Sequence, residues 1–308
     1  MLLAGIFMII SNIFYHYIIV RFKLTNQSIQ YVLAINISRQ CILLGVHHVI
    51  IGIINFIIID ENRHYFSDTV CRLRSITELF LLYLFETTFA IRIVTFVLML
   101  NYPITYRNRI DRIDKSILVL LPVFIFATGA TTLFGIDSFS VNNFTYCSLY
   151  ASFGKTYEAF YIGLIGLVVI SSVPVLYLGG VAISKMKAVG SYKGSVIQLL
   201  NYEVTIFTGC WLVPNIAIFI CYFIEIRRDQ MSMIYDISSL ALTVSGIVEF
   251  PFSVWKNRDV KYYFFQIMGR KKFASTPIVV LGKKTNFPER HHSSIPTIHR
   301  PSNVQRIL

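Results

Sequence analysis

The strongest constraint on this chain is the length of its apolar runs. Seven can be read: about Met1–Val20, Gln30–Ile59, Thr77–Leu100, Ser116–Phe134, Ala159–Ile183, Leu199–Ile224 and Met233–Trp255. Each is close to the roughly 20 residues a helix needs to cross hydrocarbon. Hydrocarbon offers the backbone no hydrogen-bond partner, so each run must be helical. Composition closes off the soluble alternative. The chain is 55% hydrophobic and 14% charged, where a soluble domain carries about 25% charge. The predicted fold class is an all-α membrane protein, a seven-transmembrane helix bundle over residues 1–255. The second run is long enough to tilt or to end in the interface. The first starts at Met1 with no charged leader and no small-residue cleavage site. It therefore reads as a retained span, with a truncated N-terminus as the alternative.

Orientation follows from Lys and Arg in the loops. One side carries Arg21 and Lys23, then Arg107, Arg109, Arg112 and Lys115, then Lys185, Lys187 and Lys193, and eleven more after Trp255. The other side carries only Arg63, Arg72 and Arg74, then Lys155, then Arg227 and Arg228. The first side is expected in the cytoplasm, which places the N-terminus outside. The formal net charge of +12 is thus mostly topology. No soluble basic domain exists to carry a nucleic acid, so that partner is not expected. The lipid membrane is.

Two further features bear on orientation. Asn143-Phe144-Thr145 is a glycosylation acceptor in a loop assigned outside. Asn36-Ile37-Ser38 matches the same pattern within a span, so the pattern alone is weak. Of five cysteines, Cys41, Cys210 and Cys221 lie in spans. Cys71 and Cys147 are the two in loops, and both fall on the outer side, where disulfides persist. A Cys71–Cys147 bridge is expected; the alternative is two unpaired thiols.

This constellation resembles the rhodopsin-like G-protein-coupled receptors. They too have seven helices, an outer N-terminus, a cysteine before helix 3 and another in the next outer loop. In those receptors helix 3 ends in an acid-Arg-aromatic triplet, with a Pro seven residues after the Arg and a Tyr three later. Pro103 and Tyr106 keep that spacing, which puts Thr95-Phe96-Val97 where the triplet belongs. Phe96 also keeps the usual 25-residue gap from Cys71. The positions are kept and the ionic chemistry is lost. Gly209–Pro214, GCWLVP, is similar to the helix-6 C-W-x-P with one residue inserted between Trp211 and Pro214. In VEFPFSVW, Phe250 stands for the Asn of the helix-7 N-P-x-x-Y, and Trp255 comes one residue after the place of the Tyr. Asn12 and the LAINIS stretch, Leu33–Ser38, are similar to the helix-1 and helix-2 patterns, but no Asp is present for a sodium site. With these eroded motifs, the chain resembles the nematode serpentine chemoreceptor families over about residues 1–268. The resemblance implies a plasma-membrane receptor, expected on the sensory-neuron cilium. It would bind an odorant or pheromone-like small molecule and signal through a heterotrimeric G protein.

Ionisable groups inside spans are costly and mark function by default. Glu78 stands where amine receptors of the resembled class carry their ligand-binding acid. It is expected either to contact ligand or to sit inertly at the interface. Leu82 and Tyr83 lie one turn deeper, and Trp211 faces the same cavity if the helix-6 likeness holds. Arg92 is expected to pair with Glu203 or Glu249 across the bundle, as a switch or as a static pair. Pro174 and Pro214 supply bending points in helices 5 and 6, and Pro214 and Pro251 are counted with the expected switch. Arg107, Arg109, Lys185 and Lys187 border the expected G-protein cleft. His47 and His48 are adjacent, so they point about 100° apart and share no face. No nucleophile or metal-ligand spacing is evident, so neither catalysis nor a metal or other cofactor is expected. Residues 256–272 read as a short amphipathic cytoplasmic helix, with Val260, Tyr263, Phe264, Ile267 and Met268 on one stripe. Residues 273–308 read as a disordered tail. The rival class is a seven-helix transporter of a small solute. A retinal-binding opsin is set aside, because Met233–Trp255 contains no lysine.

Overall fold

The computed structural model describes residues 1–26, 28–60, 68–111, 116–139, 147–188 and 202–269. Side chains at 58–60, 116–119, 182, 185–188, 229 and 258 lie outside that description. Seven helices are long and apolar enough to span a membrane. They are α1 (Leu2–Arg21), α2 (Ile29–Asp60), α3 (Asp68–Asn101), α4 (Ser116–Ser138), α5 (Lys155–Ala188), α6 (Tyr202–Phe223) and α7 (Arg228–Lys256). An eighth, α8 (Arg258–Ile267), follows directly. No strand occurs among the described residues.

Large apolar side chains on both the buried and the exposed faces mark this as a lipid-embedded bundle. On α1, Met8, Asn12, Tyr15 and Ile19 are buried while Leu3, Phe7, Ile10, Phe14 and Tyr17 stand exposed. A soluble helix would carry polar residues on that second face. α3 is the central helix, buried at positions all around its circumference from Cys71 to Val97.

Helices in lipid gain no hydrophobic drive from touching each other, so close approach and polar ties hold them together. α1 and α2 meet at glycines. A Cβ on Gly5 would lie 2.7 Å from the Gly45 carbonyl oxygen, and one on Gly52 would lie 3.0 Å from the Leu2 Cα. Asn12 then ties three helices. Its Nδ2 donates to the Gly246 carbonyl of α7 at 3.0 Å, and Ser38 Oγ on α2 donates to the Asn12 carbonyl at 2.8 Å. Gln40 Nε2 donates to Thr88 Oγ1 at 2.9 Å, joining α2 to α3. Asn101 Nδ2 donates to Leu178 O at 3.1 Å, joining α3 to α5.

α3 begins at Asp68, well before the apolar run at Thr77. Its early turns carry Arg72 and Arg74, and charge hid them from a reading based on apolar length. The Cys71–Cys147 disulfide pins this extension to the segment before α5, with Cα atoms 5.5 Å apart. At the other end of the bundle, α7 breaks at Asn257 and restarts as α8. Asn257 Oδ1 accepts from the amides of Asp259 and Val260 at 3.1 and 3.3 Å, a side-chain N-cap. Val260 is fully buried, and the Tyr263 ring stacks on Phe22 at 4.0 Å. Ile267 and Met268 stay exposed, so the expected stripe divides between protein and surroundings. An Asn257→Ala change should weaken α8 by about 1 kcal/mol. Amide exchange across Val260–Phe264 should then quicken about fivefold, since 1.4 kcal/mol is tenfold.

Candidate functional site

Two arrangements of polar groups lie inside the bundle, one above the other along α3 and α6. The one nearer the α8 end is ionic. Arg92 on α3 pairs with Glu203 at the start of α6 at 2.8 Å, and with Glu249 on α7. All three side chains are buried. A guanidinium is the cation suited to this, because its planar fork serves two carboxylates at once. The three formal charges sum to −1, so the cluster holds more acid than base. Its position places α3, α6 and α7 under one clamp.

Beside the clamp is the region where the resembled receptors carry the ionic triplet. Thr95, Phe96 and Val97 are all buried. A neutral network replaces the charges. Gln30 Nε2 on α2 donates to Thr95 Oγ1 at 3.0 Å and to the Tyr106 hydroxyl at 3.4 Å. Burial, and then the neighbouring Asp111 carboxylate, pushes the Tyr106 hydroxyl up to about 12. It therefore remains protonated. Asp111 Oδ1 in turn accepts from Ser28 Oγ at 3.0 Å and from Ile29 N at 2.9 Å, at the first turn of α2. Pro103 opens a single helical turn, Pro103–Thr105, and Tyr106–Ile110 follows as a π-turn. The segment after α3 is thus docked on α2, and it presents Ile104, Arg107 and Arg109 outward. Ile104, at 77%, is the most exposed large apolar residue described. The backbone at Lys185 and Lys187 belongs to α5, while their side chains lie outside the described residues.

The second arrangement is a narrow cavity with room for about one water molecule. α3 contributes Leu82 and Glu86, α5 Tyr161, α6 Trp211 and Ile218, and α7 Tyr235. Its α6 wall is irregular. Phe207–Leu212 is π-helical and runs into the α-helical Val213–Phe223 at Pro214. A π-bulge is how a helix absorbs one extra residue without changing register beyond it. The residue inserted between Trp211 and Pro214, relative to C-W-x-P, therefore has a structural account. Asn215 Nδ2 donates to Trp211 O at 2.7 Å and braces the disturbed turn.

No protein-family model matches the chain, and no curated protein matches it.

Of the four expected ligand contacts, Leu82 and Trp211 line this cavity. Glu78 and Tyr83 are not among its lining residues. Glu78 is buried against α2, with its carboxylate 3.8 Å from His47 Nε2 and 4.0 Å from Arg74 Nε. The Tyr83 hydroxyl shares a hydrogen bond with that of Tyr157. Glu86, absent from the expected contacts, is the acid that faces the cavity. The two glutamates are eight residues apart, so they sit two turns and about 80° from each other on α3. Sequence spacing to the helix-3 Arg position pointed to the first; only packing reveals the second.

An aromatic cluster covers the end of the bundle beyond the cavity. Tyr150, Phe153, Tyr157, Tyr161 and Tyr235 pack ring against ring, with centroids 4.8–6.4 Å apart. The chain enters α5 through Gly154, where a Cβ would lie 2.2 Å from Asp137 Oδ2. That carboxylate accepts from Tyr157 N at 2.8 Å. Arg228 on α7 donates to the Phe153 carbonyl, and the disulfide anchors the same segment. Asn143 lies outside the described residues, as do Arg270 to Leu308. Among the described residues no His, Cys, Asp and Glu gather to hold a metal ion.

Proposed function

We propose that this chain is a seven-helix receptor of the nematode chemoreceptor kind, binding a small molecule from outside and activating a heterotrimeric G protein within the cell. The observation that carries this reading is the stacking of a cavity over an ionic clamp on the same helix. Trp211 lines the cavity and Glu203 belongs to the clamp. Between them α6 is π-helical, and Pro214 follows. A π-segment and a proline are the usual places for a helix to bend. A ligand that favours one arrangement of Trp211 can thereby favour one arrangement of Glu203, provided it binds the two states unequally.

We further assign the disulfide end to the outside and the α8 end to the cytoplasm. Support comes from the lysine and arginine asymmetry and from the stability of disulfides in oxidising compartments. Trp255 and Lys256, with the ammonium 3.7 Å from the ring centroid, suit an interfacial anchor at that end. Plasma-membrane location and G-protein contact through Ile104, Arg107, Arg109, Lys185 and Lys187 belong to the same proposal.

The test needs no ligand. Glu203→Gln leaves one guanidinium with one carboxylate, so the cluster becomes charge-balanced while the α3–α6 link weakens. Basal second-messenger signalling should rise several-fold at unchanged surface expression. Adding Arg107→Ala and Arg109→Ala should return it to background. A surface-expressed Glu203→Gln protein with silent basal signalling would count against the receptor reading. The ladder of ionisable groups Glu78, Glu86 and Arg92 along α3 also suits a solute transporter. Solute uptake by the expressing cells, with no second messenger, would favour that reading instead.

A further inference from the structure

We infer that the cavity takes a small protonated amine, held by Glu86 inside a cage of Trp211, Tyr161 and Tyr235. This rests on the proposed receptor only for its consequence; the binding site stands on geometry alone. Glu86 lines the cavity yet makes no ion pair among the described residues. Among the described residues, the neighbouring basic side chains are already committed. Arg92 serves Glu203 and Glu249, while Arg74 and His47 serve Glu78. A carboxylate with no ion-pair partner within a span is expensive, and a cation from outside is the chemistry that relieves it. The walls agree. The Ser239 hydroxyl is buried with no hydrogen-bond partner, and Ser239 and Trp211 line the cavity with Glu86, whose carboxylate has the Trp211 side chain as its hydrogen-bonding neighbour. Tyr161 and Tyr235 lie with ring centroids 5.7 Å apart, and Trp211 completes an aromatic surround. Electron-rich ring faces attract a desolvated ammonium. Leu82, Ile218 and Leu242 supply an apolar floor for the rest of the molecule.

Size limits the ligand. With room for about one water, the cavity admits a short alkylamine only after it widens. The π-segment of α6 offers the slack for that.

Trp211 is its own reporter, because the chain has two tryptophans and Trp255 is lipid-exposed. In a full-length Trp255→Phe protein, purified in detergent, titration with isobutylamine at pH 7 should change Trp211 emission saturably. The neutral isostere isobutanol should bind at least tenfold more weakly. Glu86→Gln in this background should abolish the preference for amine over alcohol. Ser239→Leu, which fills the cavity from α7, should abolish both signals and serves if Glu86→Gln does not fold. Equal binding of amine and alcohol by the parent, or amine binding that persists in the folded Glu86→Gln or Ser239→Leu protein, would overturn the inference. Saturable Glu86-dependent binding without any second-messenger response would uphold the amine site and remove the receptor. A response that Glu86→Gln leaves unchanged would do the reverse.

Discussion

Replacing Arg92 with methionine should remove the protein from the cell surface. Methionine keeps most of the stem volume, so packing is nearly preserved and the change is electrostatic. It leaves Glu203 and Glu249 buried together with no cation between them. Removing one partner of a buried ionic cluster costs about 3–5 kcal/mol, through the charge left behind. That is a large share of the 5–15 kcal/mol that holds a typical protein folded. The compensation is specific. Adding Glu203→Gln and Glu249→Gln to Arg92→Met should restore surface expression, because an uncharged cluster has no ion to desolvate. Antibody labelling of an N-terminal tag on intact cells measures both. Arg92→Met at the parental surface level would show that the cluster carries no such stress.

The second large effect concerns the disulfide. Cys71→Ser, Cys147→Ser and the double change should each lower stability by about 2–4 kcal/mol. A crosslink spanning 76 residues restrains the unfolded chain strongly in the loop-entropy model. Spans that remain helical in the unfolded state reduce that figure, since they already limit where the two cysteines travel. The bond also positions the Tyr150–Phe153 cover, which Arg74 assists by donating to the Cys147 carbonyl at 3.0 Å. The singles and the double should be equivalent, because neither sulfur acts without the other. Reductant should lower the melting temperature of the parent and leave the double variant unmoved. A parent insensitive to reductant would mean that the bond adds no stability.

How far the sequence could be read depends on which physical signal each element leaves. Apolar length marks lipid contact, so the seven spans were legible within a few residues at most ends. It does not mark helix as such. The α3 turns from Asp68 to Ile76 and the first α7 turn from Arg228 extend past the apolar runs, where Arg72, Arg74 and Arg228 read as loop. Cysteine placement signalled the disulfide, because few residues competed for the pairing. The Arg92 partners were legible because spans contain so few charges that any cation has a short choice of acids. Glu86 was not singled out as a ligand contact. Facing Trp211 rather than α2 depends on the rotation of α3 in the bundle, and one sequence does not fix that. The Gln30–Thr95–Tyr106 network was hidden for a related reason. Glutamine and threonine are unremarkable in composition, and only their meeting gives them a role.

The Asn12 bond to Gly246 crosses 234 residues of chain. At about 5–20 residues per second of synthesis, the carbonyl that completes this amide emerges roughly 10–50 seconds after it. The α1–α2 pair can close at its glycines long before then, with Ser38 already seated on the Asn12 carbonyl. Until then the Asn12 amide has its bond to the Met8 carbonyl of its own helix, at 2.9 Å, and its second hydrogen waits for α7. The arrival of α7 is what seals α1.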